Sequence, residues 1–290
     1  MLESDNELIQ QKNCPICFGD SRLIDTTKTI NPKSERMVEL RECLICKHWW
    51  NNPLPTQELL QSFYENNSEY VVPEGYSKAM LSSVANHTNP LVEKLLKISP
   101  VKEKFNYLEI GIGSGNLFHS FQQKANVAYG VEPGKWVVGD KQNIVPSIDN
   151  IPGGIKFDII VANDVLEHLN NPTEMLNKLS SIVNKDCLIH CTFPNKDCLK
   201  AKIQKGKWSM IRPFGHLHYF SARSIKFMFK ETGWKIIKIQ NCRAGNCNAI
   251  DIIKNFDYKS KNLLFRLVKS LILGQLLLGK DQWTVIGNKI

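Results

Sequence analysis

The first ten residues are polar and acidic and have no apolar core, so no secretory signal peptide is expected at this end of the 290-residue chain. An uninterrupted membrane-spanning run is also missing. The most apolar stretch, 262–278, is broken by Arg266, Lys269 and Gln275 and is too short for a span. Basic residues are dispersed and do not cluster on an aromatic platform, which argues against a nucleic-acid-binding module. Nothing indicates a disulfide framework: four of the nine cysteines fall in two Cys-x-x-Cys pairs, as in a metal site in a reducing cytosol. What remains is an ordinary soluble composition, 42% hydrophobic and 22% charged, with 37 basic against 28 acidic residues. The resulting +9 favours anionic partners.

Cys14-Pro-Ile-Cys17 and Cys43-Leu-Ile-Cys46 each form a tight turn presenting two thiolates, and four thiolates satisfy tetrahedral zinc. The intervening segment is short of large apolar side chains and could hardly fold without a metal crosslink. Residues 1–50 therefore read as a small zinc ribbon whose ion is structural, since four sulfurs close its coordination shell. His48 is expected at the surface and not among the ligands. Residues 51–100 read as a helical linker and lid. Thr56 caps a helix over 57–65 with Leu59, Leu60 and Phe63 on its apolar face. A loop follows with Tyr70 and Tyr76 over the mouth of a site. A second helix opens at Asn89-Pro90 and buries Leu91, Val92, Leu95 and Leu96.

From residue 101 strands and helices alternate, which implies an α/β fold with a seven-stranded, mainly parallel sheet and helices on both faces. Strands are expected at 106–110, 127–131, about 143–146, 157–163, 187–193, 234–240 and 282–287. The stretch between Glu132 and Asp158 is short, so a full helix does not fit there. Between the first two strands lie Gly111, Gly113 and Gly115, spaced for a sharp turn that opens a helix and lets a ligand approach the backbone. Glu132, about 20 residues further on, sits where nucleotide folds bind ribose hydroxyls. Ligands in such sheets lie beyond the carboxyl ends of the strands, which places Gly111, Gly113, Glu132, Asn163 and Asp164 at one crevice. A nicotinamide-dinucleotide fingerprint would need a third glycine at Asn116.

Glu109-x-Gly-x-Gly-x-Gly115, Glu132, Phe157-Asp158-Ile-Ile and Asp164-Val-Leu-Glu167-His168 resemble the class I S-adenosylmethionine (SAM) methyltransferases, over roughly residues 101–290. The cysteine pairs followed by Pro53-Leu-Pro55-Thr-Gln-Glu-Leu59 and Phe63-Tyr64 resemble a bacterial subgroup that includes deoxysugar C-methyltransferases and methyltransferases of surface-glycan gene clusters. The resemblance implies SAM as cofactor. Glu109, Gly111, Gly113 and Gly115 would then shape the methionine and ribose pocket and Glu132 would hold both ribose hydroxyls. Ser147 and Ile148 would flank the adenine, and Asn163 and Asp164 would border the methionine end. It also implies an antiparallel final strand and a helix start braced by Glu167-His168.

The segment from Trp208 to Phe220 is dense in reactive groups. Relatives show a similar His-x-His-x-Phe pattern beside the substrate, and alternation places His216 and His218 on one side of an extended segment. Either imidazole could take a proton from the acceptor. Cys187, Cys191 and Cys198 lack metal-pair spacing and read as core thiols. The reading is a cytoplasmic SAM-dependent methyltransferase of an anionic small molecule, by resemblance a nucleotide-linked sugar or glycan. The apolar insertion near 258–280 leaves open packing, a dimer contact or peripheral binding at the inner face of the membrane. It also leaves open a lipid or quinone-like substrate; a zinc-ribbon nucleic-acid binder is the rival from another class.

Overall fold

The computed structural model describes residues 8–28, 37–66, 90–101, 103–113, 115–134, 141–213, 215–242 and 281–290. Tyr70, Tyr76 and the stretch 262–278 lie outside them. In chain order the amino-terminal part holds β1 (Leu8–Ile9), β2 (Ser21–Lys28), β3 (Met37–Cys43), β4 (Trp49–Asn52), β5 (Leu54–Pro55) and α1 (Gln57–Asn66). There follow α2 (Pro90–Ile98), β6 (Asn106–Ile110), α3 (Asn116–Gln122), β7 (Val127–Val131), β8 (Ile144–Val145) and β9 (Phe157–Asn163). The remainder is α4 (Pro172–Ser181), β10 (Val183–Pro194), α5 (Leu199–Gln204), β11 (His218–Tyr219), α6 (Ala222–Glu231), β12 (Trp234–Cys242) and β13 (Gln282–Lys289).

The central sheet has seven strands in the order β12-β13-β10-β9-β6-β7-β8. All neighbouring pairs from β10 to β8 are parallel, and β13 runs antiparallel to both β10 and β12. This is the expected Rossmann-like arrangement, with each strand close to its predicted position. β10 starts earlier than expected, at Val183, because a register irregularity between Val183 and Leu188 lets it rejoin β9. Between Glu132 and Asp158 the one helical segment among the described residues is a 3-10 turn, Ile148–Asn150, which follows β8.

Local sequence explains these placements. The first six residues of β9 are buried, as a strand covered on both faces requires. Val92 and Leu95 of α2 pack in a cluster with Phe105, Tyr107, Phe118 and Phe121, where Tyr107 stacks on Phe121 at 4.0 Å between centroids. Asp158 pins the entry of the sheet by accepting from the Asn106 backbone N–H (2.8 Å) and from Asn184 Nδ2 (2.8 Å). Asn171 caps α4 with Pro172 in its first turn, and Ser221 and Ser224 form a capping box on α6.

A second sheet of four strands, β11-β4-β3-β2, carries the cysteine pairs at its edge. Its fourth strand comes from 218–219, far along the chain, through the pairs His218↔Trp50 and Tyr219↔Trp49. That contact overturns one expectation: His48 is not at the surface but fully buried, because β11 closes over it. Asn51 fastens the joint. Its side-chain amide lies 2.7 Å from the His216 carbonyl and 3.2 Å from the Pro213 carbonyl, and it is wholly buried. Asn51→Ala removes this donor from both carbonyls, of which that of His216 keeps the Tyr219 hydroxyl at 2.8 Å, an expected loss of about 1–3 kcal/mol. Urea unfolding should show it as a lower midpoint; a change below about 0.5 kcal/mol would mean water replaces the amide.

Candidate active site and cysteine cluster

The glycine turn sits at the carboxyl end of β6. Gly111 has φ +71°, and its N–H donates to the Val131 carbonyl at 2.8 Å. A Cβ there would lie 2.5 Å from Val165 Cγ2, so the turn and the residues after β9 approach as closely as only glycine permits. Gly113 has φ +56°, and a Cβ on it would meet nothing within 4 Å. Its N–H donates to Glu132 Oε2 at 2.9 Å, while Glu132 Oε1 accepts from the Gly134 N–H at 3.0 Å. The carboxylate at the end of β7 is thereby held against the turn. Gly115, in the left-handed region at φ +86°, precedes α3.

The other expected cofactor residues line the same ends of the strands. Glu109 is buried and accepts a 2.6 Å hydrogen bond from the Tyr107 hydroxyl; burial pushes its carboxyl up to about 8, and the nearby Glu132 adds to this. Asn163 Oδ1 accepts from His190 Nδ1 at 2.9 Å. Asp164, at φ +54°, accepts from Thr192 Oγ1 (3.1 Å) and from Gln282 Nε2. Ser147 caps the 3-10 turn through the Asp149 N–H, and Ile148 is buried behind it. Both follow β8, which pairs with the end of β7. Cys187 and Cys191 are buried in the core, and Cys198 Sγ accepts from the Ala201 N–H at the start of α5.

His216 and His218 do not share a side. Residue 216 precedes β11, in a turn closed by its own N–H donating to the Arg212 carbonyl at 2.7 Å. His218 is fully buried, with Nδ1 3.1 Å from His48 Nε2 and Nε2 3.3 Å from the Asn170 carbonyl. His216 instead meets His168, with ring centroids 4.9 Å apart. The Nδ1 of His216 lies 2.8 Å from the Met210 carbonyl and the Nδ1 of His168 faces the Gly215 carbonyl. Carbonyls only accept, so both Nδ1 atoms carry the proton. Burial lowers the pKa of His216 to about 3 and that of His168 to about 4, so both imidazoles are neutral. Glu167 joins them, 1% exposed, with Oε2 lacking any hydrogen-bond partner. Sequence reasoning missed this grouping because His216 lies 48 residues beyond His168 and no spacing rule connects them.

Cys14, Cys17, Cys43 and Cys46 bring their sulfurs within 4.8 Å of one another. Cys14 Sγ is 3.5 Å from Cys46 Sγ, and Cys17 Sγ is 3.4 Å from Cys43 Sγ. Sulfurs bound about 2.3 Å from a tetrahedral zinc stand about 3.8 Å apart, so the cluster fits such an ion after small shifts. The Ile16, Ile45 and Cys46 N–H groups point at the sulfurs of Cys14 and Cys43 (3.3–3.4 Å), as anionic ligands require. The residue after each pair, Phe18 or Lys47, takes a left-handed φ of 59° or 61°, so the two turns share one geometry.

The sequence profile of a family described as a methyltransferase domain matches residues 83–239. The chain belongs to that family. Its fold is shared by solved methyltransferase structures, among them magnesium protoporphyrin IX methyltransferase (ChlM) of Synechocystis PCC 6803 with bound SAH. That likeness has a TM-score of 0.51 at 12% identity, over 81% of this chain and 100% of that one. A chain of the Haloferax volcanii complex containing the Trm112 methyltransferase activator aligns with a TM-score of 0.50 at 11% identity, over 79% and 97%. Among curated proteins, the uncharacterized protein MJ1123 of Methanocaldococcus jannaschii is 27% identical over 135 residues, 45% of this chain and 65% of its own length.

The two glycines separate folding from ligand space. Gly111→Ala should destabilise the domain through the Val165 clash. Gly113→Ala should cost only about 1–2 kcal/mol of backbone strain yet weaken binding of S-adenosylhomocysteine (SAH) more than tenfold. Melting curves and calorimetry on both variants would read this; unchanged SAH affinity in Gly113→Ala would show that the open space above residue 113 is not the ligand's.

Proposed function

We propose that this methyltransferase moves the methyl group of SAM to an anionic small-molecule acceptor, a nucleotide-linked sugar or glycan being the class favoured by resemblance and by the +9 charge. The observation that carries the cofactor assignment is the 2.9 Å contact between Gly113 N–H and Glu132 Oε2. It joins an open backbone turn to a carboxylate, a group whose two oxygens can each accept more than one hydrogen bond, as two ribose hydroxyls would require. Asn163 and Asp164, fixed by His190, Thr192 and Gln282, border the methionine end, and Ser147 and Ile148 the adenine side.

SAM supplies an electrophilic methyl on a sulfonium. The chain's own residues have to hold nucleophile, carbon and sulfur in line and keep water out. Glu109, kept largely protonated near neutrality by burial, can give up its proton when an ammonium group arrives beside it. Of the two histidines expected as base, His218 is committed to His48 and Asn170, which leaves His216 for the acceptor side. Its lowered pKa makes it a lone-pair donor and a poor proton acceptor at neutral pH. We further propose that the four cysteines hold a structural zinc.

Glu132→Ala should abolish SAM and SAH binding in calorimetry, with the melting temperature lowered only by the loss of the carboxylate's two backbone partners and the fold retained. Unchanged affinity would defeat the assignment. Elemental analysis should find one zinc per chain, lost in Cys43→Ser together with cooperative unfolding. A fully folded, metal-free chain would remove zinc from the account.

A further inference from the structure

Residues 199–212 carry four lysines and an arginine and no acid. They follow the end of β10, which pairs with β9 as far as Thr192↔Asn163, so the segment leaves the sheet on the crevice side. α5 opens it, and the two faces of this helix differ. Ala201 is fully buried and Cys198 nearly so, both packed in a cluster with Leu40, Trp49, Trp208 and Tyr219. Leu199 and Ile203, one helical turn apart, face outward at 45% and 63% exposure, with Lys202 exposed beside them.

The turn after the helix adds charge and is held in place. The Gly206 N–H donates to Asp25 Oδ2 at 2.9 Å, and a Cβ on residue 206 would lie 2.8 Å from that oxygen, so the turn sits close on β2. Lys205 and Lys207, on either side of it, are exposed. Lys200 donates to Ser209 Oγ at 3.1 Å, which folds the end of the segment back toward the helix. None of Lys202, Lys205 and Lys207 forms an ion pair among the described residues. The acids that flank the segment are engaged elsewhere. Asp197 stands 3.1 Å from Lys196 Nζ and accepts from the Ala222 N–H, Asp25 takes the glycine, and Asp281 lies by Cys198 at the buried start of the helix.

Outward aliphatic side chains set among lysine cations suit one kind of partner. We propose that Leu199 and Ile203, with Lys202, Lys205 and Lys207, dock this protein on an anionic phospholipid bilayer. The two aliphatic side chains enter the headgroup boundary, while the lysine stems lie along it and carry their ammonium groups to the phosphates. Single-stranded nucleic acid is the other polyanion to weigh, and it needs rings to stack on. The one aromatic residue of 199–212, Trp208, is 1% exposed, so no such platform is offered. Docking at this rim would bring a lipid-borne acceptor to the crevice, a consequence that rests on the methyl-transfer reading. The docking surface does not rest on it.

The test is vesicle flotation of the full chain, without SAM or acceptor. Vesicles containing phosphatidylglycerol should carry the protein, those of phosphatidylcholine alone should carry at least tenfold less, and salt should weaken the binding. Two variants divide the surface: Leu199→Ser with Ile203→Ser, and Lys202→Glu with Lys205→Glu and Lys207→Glu. Each should weaken the binding at least tenfold, with melting and SAH affinity unchanged. No flotation of the parent overturns the surface. Equal flotation of the parent and both variants also overturns it, since lipid contact would then belong to another part of the chain such as 262–278. RNA retained by the parent and lost in the lysine variant, with vesicles unbound, would put nucleic acid in place of the membrane and overturn it as well. Should a variant fail to fold, hydrogen exchange of the parent decides: slower exchange across 199–207 on adding phosphatidylglycerol vesicles supports the docking, and unchanged exchange there sinks it.

Discussion

The peptide at Leu217 joins the two halves of this protein. Its carbonyl accepts from the Asn51 N–H at 3.0 Å, and its N–H donates to the Glu167 carbonyl at 2.7 Å. One residue therefore belongs at once to the cysteine-bearing sheet and to the rim of the crevice. On either side of it, His216 turns toward His168 and His218 toward His48. The segment's value lies in this division. Buried backbone groups must be paired, and here the pairing of one short segment fixes the position of two separate clusters.

Packing follows the same logic. Cys14, Ile16, Cys43, Cys46 and Trp50 lie in one continuous apolar cluster with Ile110, Leu166, Phe193 and Phe220 of the central domain. Ser221, which caps α6, donates its hydroxyl to the Cys46 carbonyl at 2.5 Å. Lys196, just after β10, sits 3.6 Å from Glu42 and over the ring of Trp49. A small sheet rich in polar strands, β2 above all, lacks enough apolar surface to stand alone. It gains a core by leaning on the larger one, and the crevice gains a rigid wall.

The central sheet was legible because its signals are local: a continuous apolar run for β9, glycines at fixed spacing, an acid at the end of a strand. The cysteine pairs were legible for the same reason. What the sequence hid is every pairing made across long separations. His48 reads as a surface residue until β11, 170 residues later, covers it. His216 and His218 read as one face of an extended strand because nothing local announces that Asn51 holds the His216 carbonyl and that the strand starts only at 218. Tyr107 reads as a core aromatic, and only the fold shows its hydroxyl satisfying Glu109. Periodicity reports which face is buried, not which distant side chain waits there.

The two donor sets differ in a way that assigns them different work. The cysteine cluster has four anionic donors, with backbone N–H groups on its sulfurs. An ion there has no vacancy for a substrate, so its effect is confined to holding β3, β4 and the first turn together. The group of Glu167, His168 and His216 is of mixed type, with two neutral imidazoles and a buried carboxyl whose pKa burial raises, which suits it to hold the loop before β11 against the turn after β9. Leu217 and its neighbours tie the two together. Asn51, a residue of the cysteine-bearing sheet, donates to the His216 carbonyl, so the two groups share one backbone support.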